Sequence, residues 1–235
     1  MPLRLFLNSP VDMSTFAHKV MSLQIEAVVF DFGGVLTLQP RDSHGEKLRE
    51  LCSLDRSTFD LEYRRQRPDY DRGAIDSREY WSRIMDSRGK SVESGILQLL
   101  FEVDTAGWTQ INNQMLNWAA LLQEGGIRTG ILSNMPRDIL VSIESRFRWF
   151  DRFEVKVFSC DVGVNKPEAG IYQRCLDELR LEAGKVLFLD DVPQNVKGAE
   201  QLGIKSILFR RYEQALLQIA ENGWMPPNLL ESKET

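Results

Sequence analysis

Polar residues able to do chemistry stand directly after short apolar runs in this chain. Asp31 follows Ile25-Glu-Ala-Val-Val-Phe30, Ser133 and Asn134 follow Arg128-Thr-Gly-Ile-Leu132, and Asp190 with Asp191 follow Val186-Leu-Phe-Leu189. Lys166 stands in Asn165-Lys-Pro-Glu168, just ahead of a helical pattern. Three carboxylates converging on one crevice repel one another, and a divalent cation is the natural resolution. Oxygen-only ligands favour Mg²⁺ over zinc. A lysine and a hydroxyl added to that cluster suit a phosphoryl group, whose equatorial oxygens carry charge that needs neutralising. An aspartate beside lysine and Mg²⁺ can also be the nucleophile and form an aspartyl-phosphate.

The apolar runs that carry these residues are short and rich in β-branched side chains, the pattern of buried strands. A further run, Ile204-Lys-Ser-Ile-Leu-Phe209, reads as the last strand. Helical stripes lie between them. Ile111, Met115, Trp118, Ala119 and Leu122 share one face, with Gly125-Gly126 as the stop. Ile171, Cys175, Leu176 and Leu179 form a second stripe, opened by Pro167 at the first helical position. Val196, Ala199 and Leu202 form a third, ended by Gly203. Strand alternating with helix predicts an α/β fold with a parallel sheet between helices, whose ligands bind beyond the carboxyl ends of the strands. Residues 40–108 differ: they lack strand-like alternation and are dense in charge and helix formers, so they read as a helical insertion. Ser43-His-Gly-Glu46 and Asp76-Ser-Arg-Glu79 fit capping boxes, and Arg67-Pro-Asp-Tyr-Asp-Arg-Gly73 reads as a turn between two of its helices.

Bulk properties narrow the field. The chain has 235 residues, 43% hydrophobic and 27% charged, enough for a proper core without staples. With a net charge of -5 it does not suit general nucleic-acid or anionic-membrane binding. Cys52, Cys160 and Cys175 are odd in number and widely spaced, as reduced thiols of a cytoplasmic protein would be. His18 and His44 are the only histidines, which disfavours a His-based zinc site or a Ser-His-Asp hydrolase. No apolar run approaches the ~18 residues needed to span a bilayer. Residues 1–22, with only Leu3 to Leu7 as an apolar patch, read as an N-terminal extension; residues 226–235 read as a frayed tail.

Taken together, Asp31-Phe-Gly-Gly-Val-Leu-Thr37, Leu132-Ser-Asn134, Lys166-Pro167 and Leu189-Asp-Asp191 with Asn195 resemble the four motifs of the haloacid dehalogenase-like hydrolase superfamily, in order. Phe158 to Tyr172 is similar to the third-motif region of its phosphatase branch, which includes bacterial sugar-phosphate phosphatases and the N-terminal phosphatase domain of soluble epoxide hydrolases. The resemblance spans about residues 24–210. It implies a Rossmann-like core at 23–39 and 109–225 and an α-helical cap at 40–108. It also implies a Mg²⁺-dependent phosphatase acting on a small phosphorylated metabolite, such as a sugar phosphate. Asp31 then corresponds to the nucleophile and a metal ligand, Ser133 and Asn134 to the phosphate-binding pair with Gly34 beside them, and Lys166 to the charge-stabilising lysine. Asp190, Asp191 and the carbonyl of Gly33 correspond to metal ligands, supported by Asn195.

One position departs from the family. Its phosphatases usually carry Asp where this chain has Gly33, and that Asp protonates the leaving group and later activates water. Such help is worth ~10²–10⁴ in rate. Without it, turnover is expected to fall steeply as the leaving group becomes poorer. Two other readings therefore stay open beside the phosphatase: a metal-independent dehalogenase, whose halide needs no proton, and a catalytically silent homologue that binds a partner. Tyr63, Arg64, Tyr70, Arg72 and Trp81 are the cap residues expected to form a substrate pocket. Trp81, Trp108, Trp118, Trp149 and Trp224 otherwise read as packing residues.

Overall fold

The apolar runs become strands of one parallel sheet. The computed structural model describes residues 25–86 and 94–224, so the readings of residues 1–22 and 226–235 lie outside the described residues. The strands are β1 (Ala27–Phe30), β2 (Arg128–Ser133), β3 (Val155–Phe158), β4 (Val186–Asp190) and β5 (Lys205–Leu208), in the order β3-β2-β1-β4-β5. Every residue of the central strand β1 is inaccessible to solvent, as expected where helices cover both sheet faces. Phe30 is in register with Ile131 of β2 and Leu189 of β4. That alignment delivers Asp31, Ser133 and Asp190 to one edge of the sheet.

Four helices, α1 (Asp42–Cys52), α2 (Arg56–Asp71), α3 (Ser77–Asp86) and α4 (Ser94–Gly107), are inserted after β1. The chain leaves and returns as a narrow ribbon. Thr37 bridges Ile111 in antiparallel fashion, Leu38 N–H donates to Gln110 O at 2.7 Å, and Asn112 N–H donates to Leu36 O at 2.9 Å. Ile111 therefore belongs to the ribbon and not to the first turn of a helix. The next helix, α5 (Asn113–Glu124), starts after Asn112, and buries Met115, Trp118, Ala119 and Leu122 as its stripe predicts. The core continues with α6 (Arg137–Arg146), α7 (Ser159–Val162), α8 (Ala169–Leu179), α9 (Pro193–Gln201) and α10 (Tyr212–Glu221).

Three local expectations are corrected. Asp76 caps α3 through Glu79 N–H at 2.8 Å, but α1 begins at Asp42, so Ser43 lies inside it and caps nothing. Helix α2 runs through Pro68 to Asp71, because Arg67 pairs with Asp71 one turn on, at 2.7 Å, and Tyr70 is buried beneath. The turn begins only at Arg72. Pro167 is not in α8: it follows a cis peptide from Lys166, and Glu168 takes the N-cap position. The chain from Asn165 to Glu168 is used as a tight turn that aims Lys166 at the sheet edge.

Two apolar clusters sandwich the sheet. On one face Phe30 meets Trp118 and Phe153 edge-on at 5.6 and 6.1 Å. On the other, Val29, Leu132 and Phe188 pack on Ile171, Tyr172, Cys175 and Leu179 of α8. Leu179 is fully buried there, and its carbonyl accepts from Arg128 at the start of β2, the opposite end of that strand from Ser133. Leu179→Ala is expected to cost about 2–5 kcal/mol, read as a lower urea midpoint at unchanged m-value.

Candidate active site

Asp31 leaves β1 with its Oδ1 accepting from Phe32 N–H at 2.7 Å. A tight turn over Phe32–Leu36 follows. Within it Gly34 has φ +74, and a Cβ there would run into the side chains of Asp191 and Gln39, so only glycine fits. Gly34 thus spaces the site and is not among the residues lining its cavity. Gly33 has φ -71 and ψ 133, which any residue adopts. Its missing side chain has another cause: a Cβ at this position would lie 2.9 Å from Cζ3 of the Trp108 indole.

Lys166 is the hub. Its Nζ donates to Asp31 Oδ1 at 2.9 Å, Asp190 Oδ2 at 2.6 Å and Leu132 O at 2.8 Å, so all three donors are used. Asn134 fixes the backbone beneath it, with Nδ2 donating to Lys166 O at 3.0 Å and Oδ1 accepting from Lys166 N–H at 2.7 Å. Asn134, which also lines the site's cavity, thus uses its amide oxygen and one of its two Nδ2 hydrogens to hold the lysine. Asp190 also accepts from Val192 N–H at 2.8 Å and from Asn195 Nδ2 at 3.1 Å, and Tyr172 Oη holds Asn195 O at 2.8 Å. Asp191, half-buried, accepts from Gln39 Nε2 at 2.6 Å.

The charges are strongly coupled. Burial pushes the Asp31 carboxyl up to about 7, against the pull of Lys166, with Asp190 adding to the rise. Burial alone would lower Lys166, but the Asp190 and Asp31 carboxylates outweigh it and hold the ammonium above its ordinary range. Burial, then Asp190, also raises Asp191. One lysine is left to balance three carboxylates. Oxygen atoms of Asp31, Asp190 and Asp191 lie within 4.8 Å of one another. Opposite ligands of an octahedral Mg²⁺ are separated by ~4.2 Å. An all-oxygen, net-negative set of this span fits a hard divalent cation.

These groups face a cavity of about 270 Å³. Asp31, Ser133, Lys166 and Asp191 line it from the core, Tyr63, Arg67 and Asp71 from α2, and Gln39 and Trp108 from the two ends of the insertion. Of the insertion residues expected from sequence, Tyr63 lines this cavity. Arg64 lines an adjoining one of about 390 Å³ that shares Gln39, Tyr63 and Trp108. Tyr70 and Trp81 do not reach it: Tyr70 stacks on Tyr80 at 4.4 Å and donates to Asp138 Oδ1 at 2.7 Å, and Trp81 is wholly buried. Arg72 turns back to Pro68 O. Sequence reasoning missed Gln39, Arg67, Asp71, Met135 and Ile139 as lining residues, and read Trp108 only as packing. The spacing Tyr63, Arg67, Asp71 is a helical stripe that the supposed turn concealed.

A model of haloacid dehalogenase-like hydrolases matches residues 25–203, which carry all the groups just described. The chain belongs to this family. Among relatives of this hydrolase, the bifunctional epoxide hydrolase 2 of Sus scrofa is 31% identical over 213 residues, 84% of this chain and 38% of that protein. The chain thus spans about two fifths of that relative's length. Among solved structures, the family enzyme bt-2542 of Bacteroides thetaiotaomicron aligns with a TM-score of 0.69 at 20% identity, covering 82% of this chain and 98% of that one. Its wild-type complex with magnesium and inorganic phosphate aligns with a TM-score of 0.67, at 20% identity over 81% and 98% of the two chains. L-2-haloacid dehalogenase from Xanthobacter autotrophicus gives 0.60 at 20% identity over 88% of this hydrolase and 87% of its own chain.

Other chemistry finds no support in the hydrolase. Burial pushes the thiols of Cys52, Cys160 and Cys175 up to about 12, 11 and 12, out of the nucleophilic range. Among the described residues, no helix is long and apolar enough to cross a membrane.

Proposed function

We propose that this hydrolase is a Mg²⁺-dependent phosphatase of small phosphorylated metabolites, with residues 40–108 serving as its cap. The observation that carries this reading is one buried lysine paired with Asp31 and Asp190 within the three-carboxylate cluster, with Lys166, Asp31 and Asp191 lining one cavity. Asp31 is the nucleophile: its carboxylate attacks phosphorus and forms an aspartyl-phosphate, which water then hydrolyses. Lys166 opposes the burial that favours the protonated form of Asp31 and neutralises charge growing on the phosphoryl oxygens. Ser133 binds that group through its hydroxyl, and Asn134 keeps Lys166 in place. Asp31, Asp191 and the carbonyl of Gly33 would hold Mg²⁺, with Asp190 acting directly or by orienting Lys166. The cation, when bound, withdraws charge from the phosphoryl oxygens and favours the ionised form of Asp31. The magnesium and phosphate in the Bacteroides neighbour support this reading.

A dehalogenase remains the second reading because of the Xanthobacter neighbour. The acidic Asp190-Asp191 pair beside Asp31 weighs against it, since a halide leaving group gives such a negative cluster nothing to do. A panel of phosphate esters and 2-haloacids, each assayed with Mg²⁺ and with chelator, separates the two. Phosphate release that chelator abolishes is expected; halide release indifferent to chelator would reverse the assignment.

The tight approach of Trp108 to Gly33 gives a second test. Gly33→Asp places a carboxylate where the family usually has one, but the indole fills that space. The single variant is expected to lose about 1–3 kcal/mol of stability through overpacking and to gain no turnover. Removing the obstruction in Gly33→Asp/Trp108→Ala should give higher turnover than Gly33→Asp alone, measured on an alkyl phosphate.

A further inference from the structure

With Gly33 mute, a phosphatase built on this site still needs a proton for its leaving group. Among the described residues, the cavity is lined by three carboxyl side chains, Asp31, Asp191 and Asp71, and Asp71 alone stands outside the metal cluster. Other donors at the wall are committed or too basic. Tyr63 Oη donates to Asp104 at 2.8 Å, and burial pushes its phenol far above the ordinary value. Lys166 is fully bonded.

Asp71 is built into the core although it belongs to the insertion. Its own carbonyl accepts from Ser159 Oγ at 2.5 Å, and Pro68 O, one turn back, accepts from Asn165 Nδ2 at 2.8 Å. Asn165 immediately precedes Lys166, so the end of α2 is pinned to the loop that aims the lysine. The Asp71 side chain is also held. Arg67 Nε donates to Oδ1 at 2.7 Å, while Oδ2 has no protein donor among the described residues. The same guanidinium serves Asp104 at 3.3 Å and Tyr63 Oη at 2.9 Å, so one cation is divided between two carboxylates. Burial raises the Asp71 carboxyl and outweighs the lowering by Arg67; Asp104 adds to the rise and Lys166 opposes it. Burial thus acts against the carboxylate form, in the direction that donation requires.

We propose, resting on the phosphatase reading, that Asp71 is the proton donor to the leaving group, taking over from the cap the task that Gly33 cannot perform. As Asp31 attacks phosphorus, the bond to the ester oxygen breaks and its electron pair departs on that oxygen. The oxygen takes the proton of the Asp71 carboxylic acid, giving an alcohol, an Asp71 carboxylate and the aspartyl-phosphate. In the second step Asp71 accepts a proton from water as the water oxygen bonds to phosphorus. The bond from phosphorus to Asp31 breaks, inorganic phosphate forms, and both aspartates return to their starting states.

The steep dependence on leaving group expected from Gly33 alone is then absent in the natural enzyme and appears only when Asp71 is disabled. The test is the Mg²⁺-dependent single-turnover rate of alcohol or phenol release from p-nitrophenyl, phenyl and n-propyl phosphate, which reads the first step alone, for the natural enzyme and for Asp71→Asn, with melting curves to compare folding. Asp71→Asn should cost less than about threefold on p-nitrophenyl phosphate and ~10²-fold on n-propyl phosphate. An equal loss on all three esters would mean that Asp71 only holds Arg67, and would overturn the assignment. A steep slope in the natural enzyme would overturn it with no variant needed, while leaving the phosphatase intact. No hydrolysis of any of the three by the natural enzyme would instead sink the phosphatase reading.

Discussion

Asp31→Asn is expected to reduce Mg²⁺-dependent hydrolysis of p-nitrophenyl phosphate by at least ~10⁴-fold. An amide oxygen is neither a competent nucleophile nor an anionic ligand, so the change removes the attacking atom and one of three charges from the cluster. The fold should survive. Lys166 Nζ keeps Asp190 and Leu132 O as partners, and the amide is close in shape to the carboxylate it replaces. Relief of repulsion among three carboxylates works in the same direction. The measurements are single-turnover rate and melting temperature. Turnover within tenfold of the natural enzyme would show that another group attacks phosphorus, and the aspartyl-phosphate would have to be abandoned.

Lys166→Met should damage stability and activity together. The lysine side chain is 1% exposed and lies between Asp31 and Asp190, the latter completely buried. Removing the cation leaves two carboxylates facing each other without compensation, a defect worth about 3–5 kcal/mol. Turnover at saturating Mg²⁺ should fall by ~10³-fold, since a preorganised charge beside the phosphoryl group is lost. Added Mg²⁺ should raise the melting temperature of the variant more than that of the natural protein, because the metal then supplies the only positive charge in the cluster. Equal Mg²⁺ stabilisation of the two proteins would show that the metal binds elsewhere.

The sequence exposed what depends on contiguous residues and hid what depends on encounters. Strands β1, β2, β4 and β5 were legible because each is an apolar run ending in a polar residue. Strand β3 was not: it is four residues at the sheet edge, and Lys156 interrupts its apolar run. The motifs pointed to Asp31, Ser133, Lys166, Asp190 and Asp191 as neighbours, and the structure brings them together beyond the carboxyl ends of the strands. They did not reveal that the Asn134 side chain is turned to the Lys166 backbone, which only the Asn165–Glu168 turn explains. Arg67 and Asp71 come from the insertion and Gln39 immediately precedes it, and nothing local marks them as neighbours of Asp31. Pro68, Asp69 and Gly73 gave the end of α2 the composition of a turn. The buried Arg67–Asp71 pair and the packing of Tyr70 prevail over that local preference.

The ribbon at Thr37 and Ile111 has a consequence for how such a protein can change. Bridged residues of an antiparallel pair have Cα atoms about 4.5–5.5 Å apart. Everything between Leu38 and Gln110 therefore begins and ends at one doorway, and the core strands on either side keep their register whatever hangs from it. The segment behaves as a cassette: helices can be lengthened, shortened or exchanged for others without rethreading the sheet. A proton donor carried on such a cassette is acquired or lost as a unit with the residues that shape the substrate's other end. With Asp71 as the proposed donor, leaving-group chemistry and substrate choice would be carried on one segment.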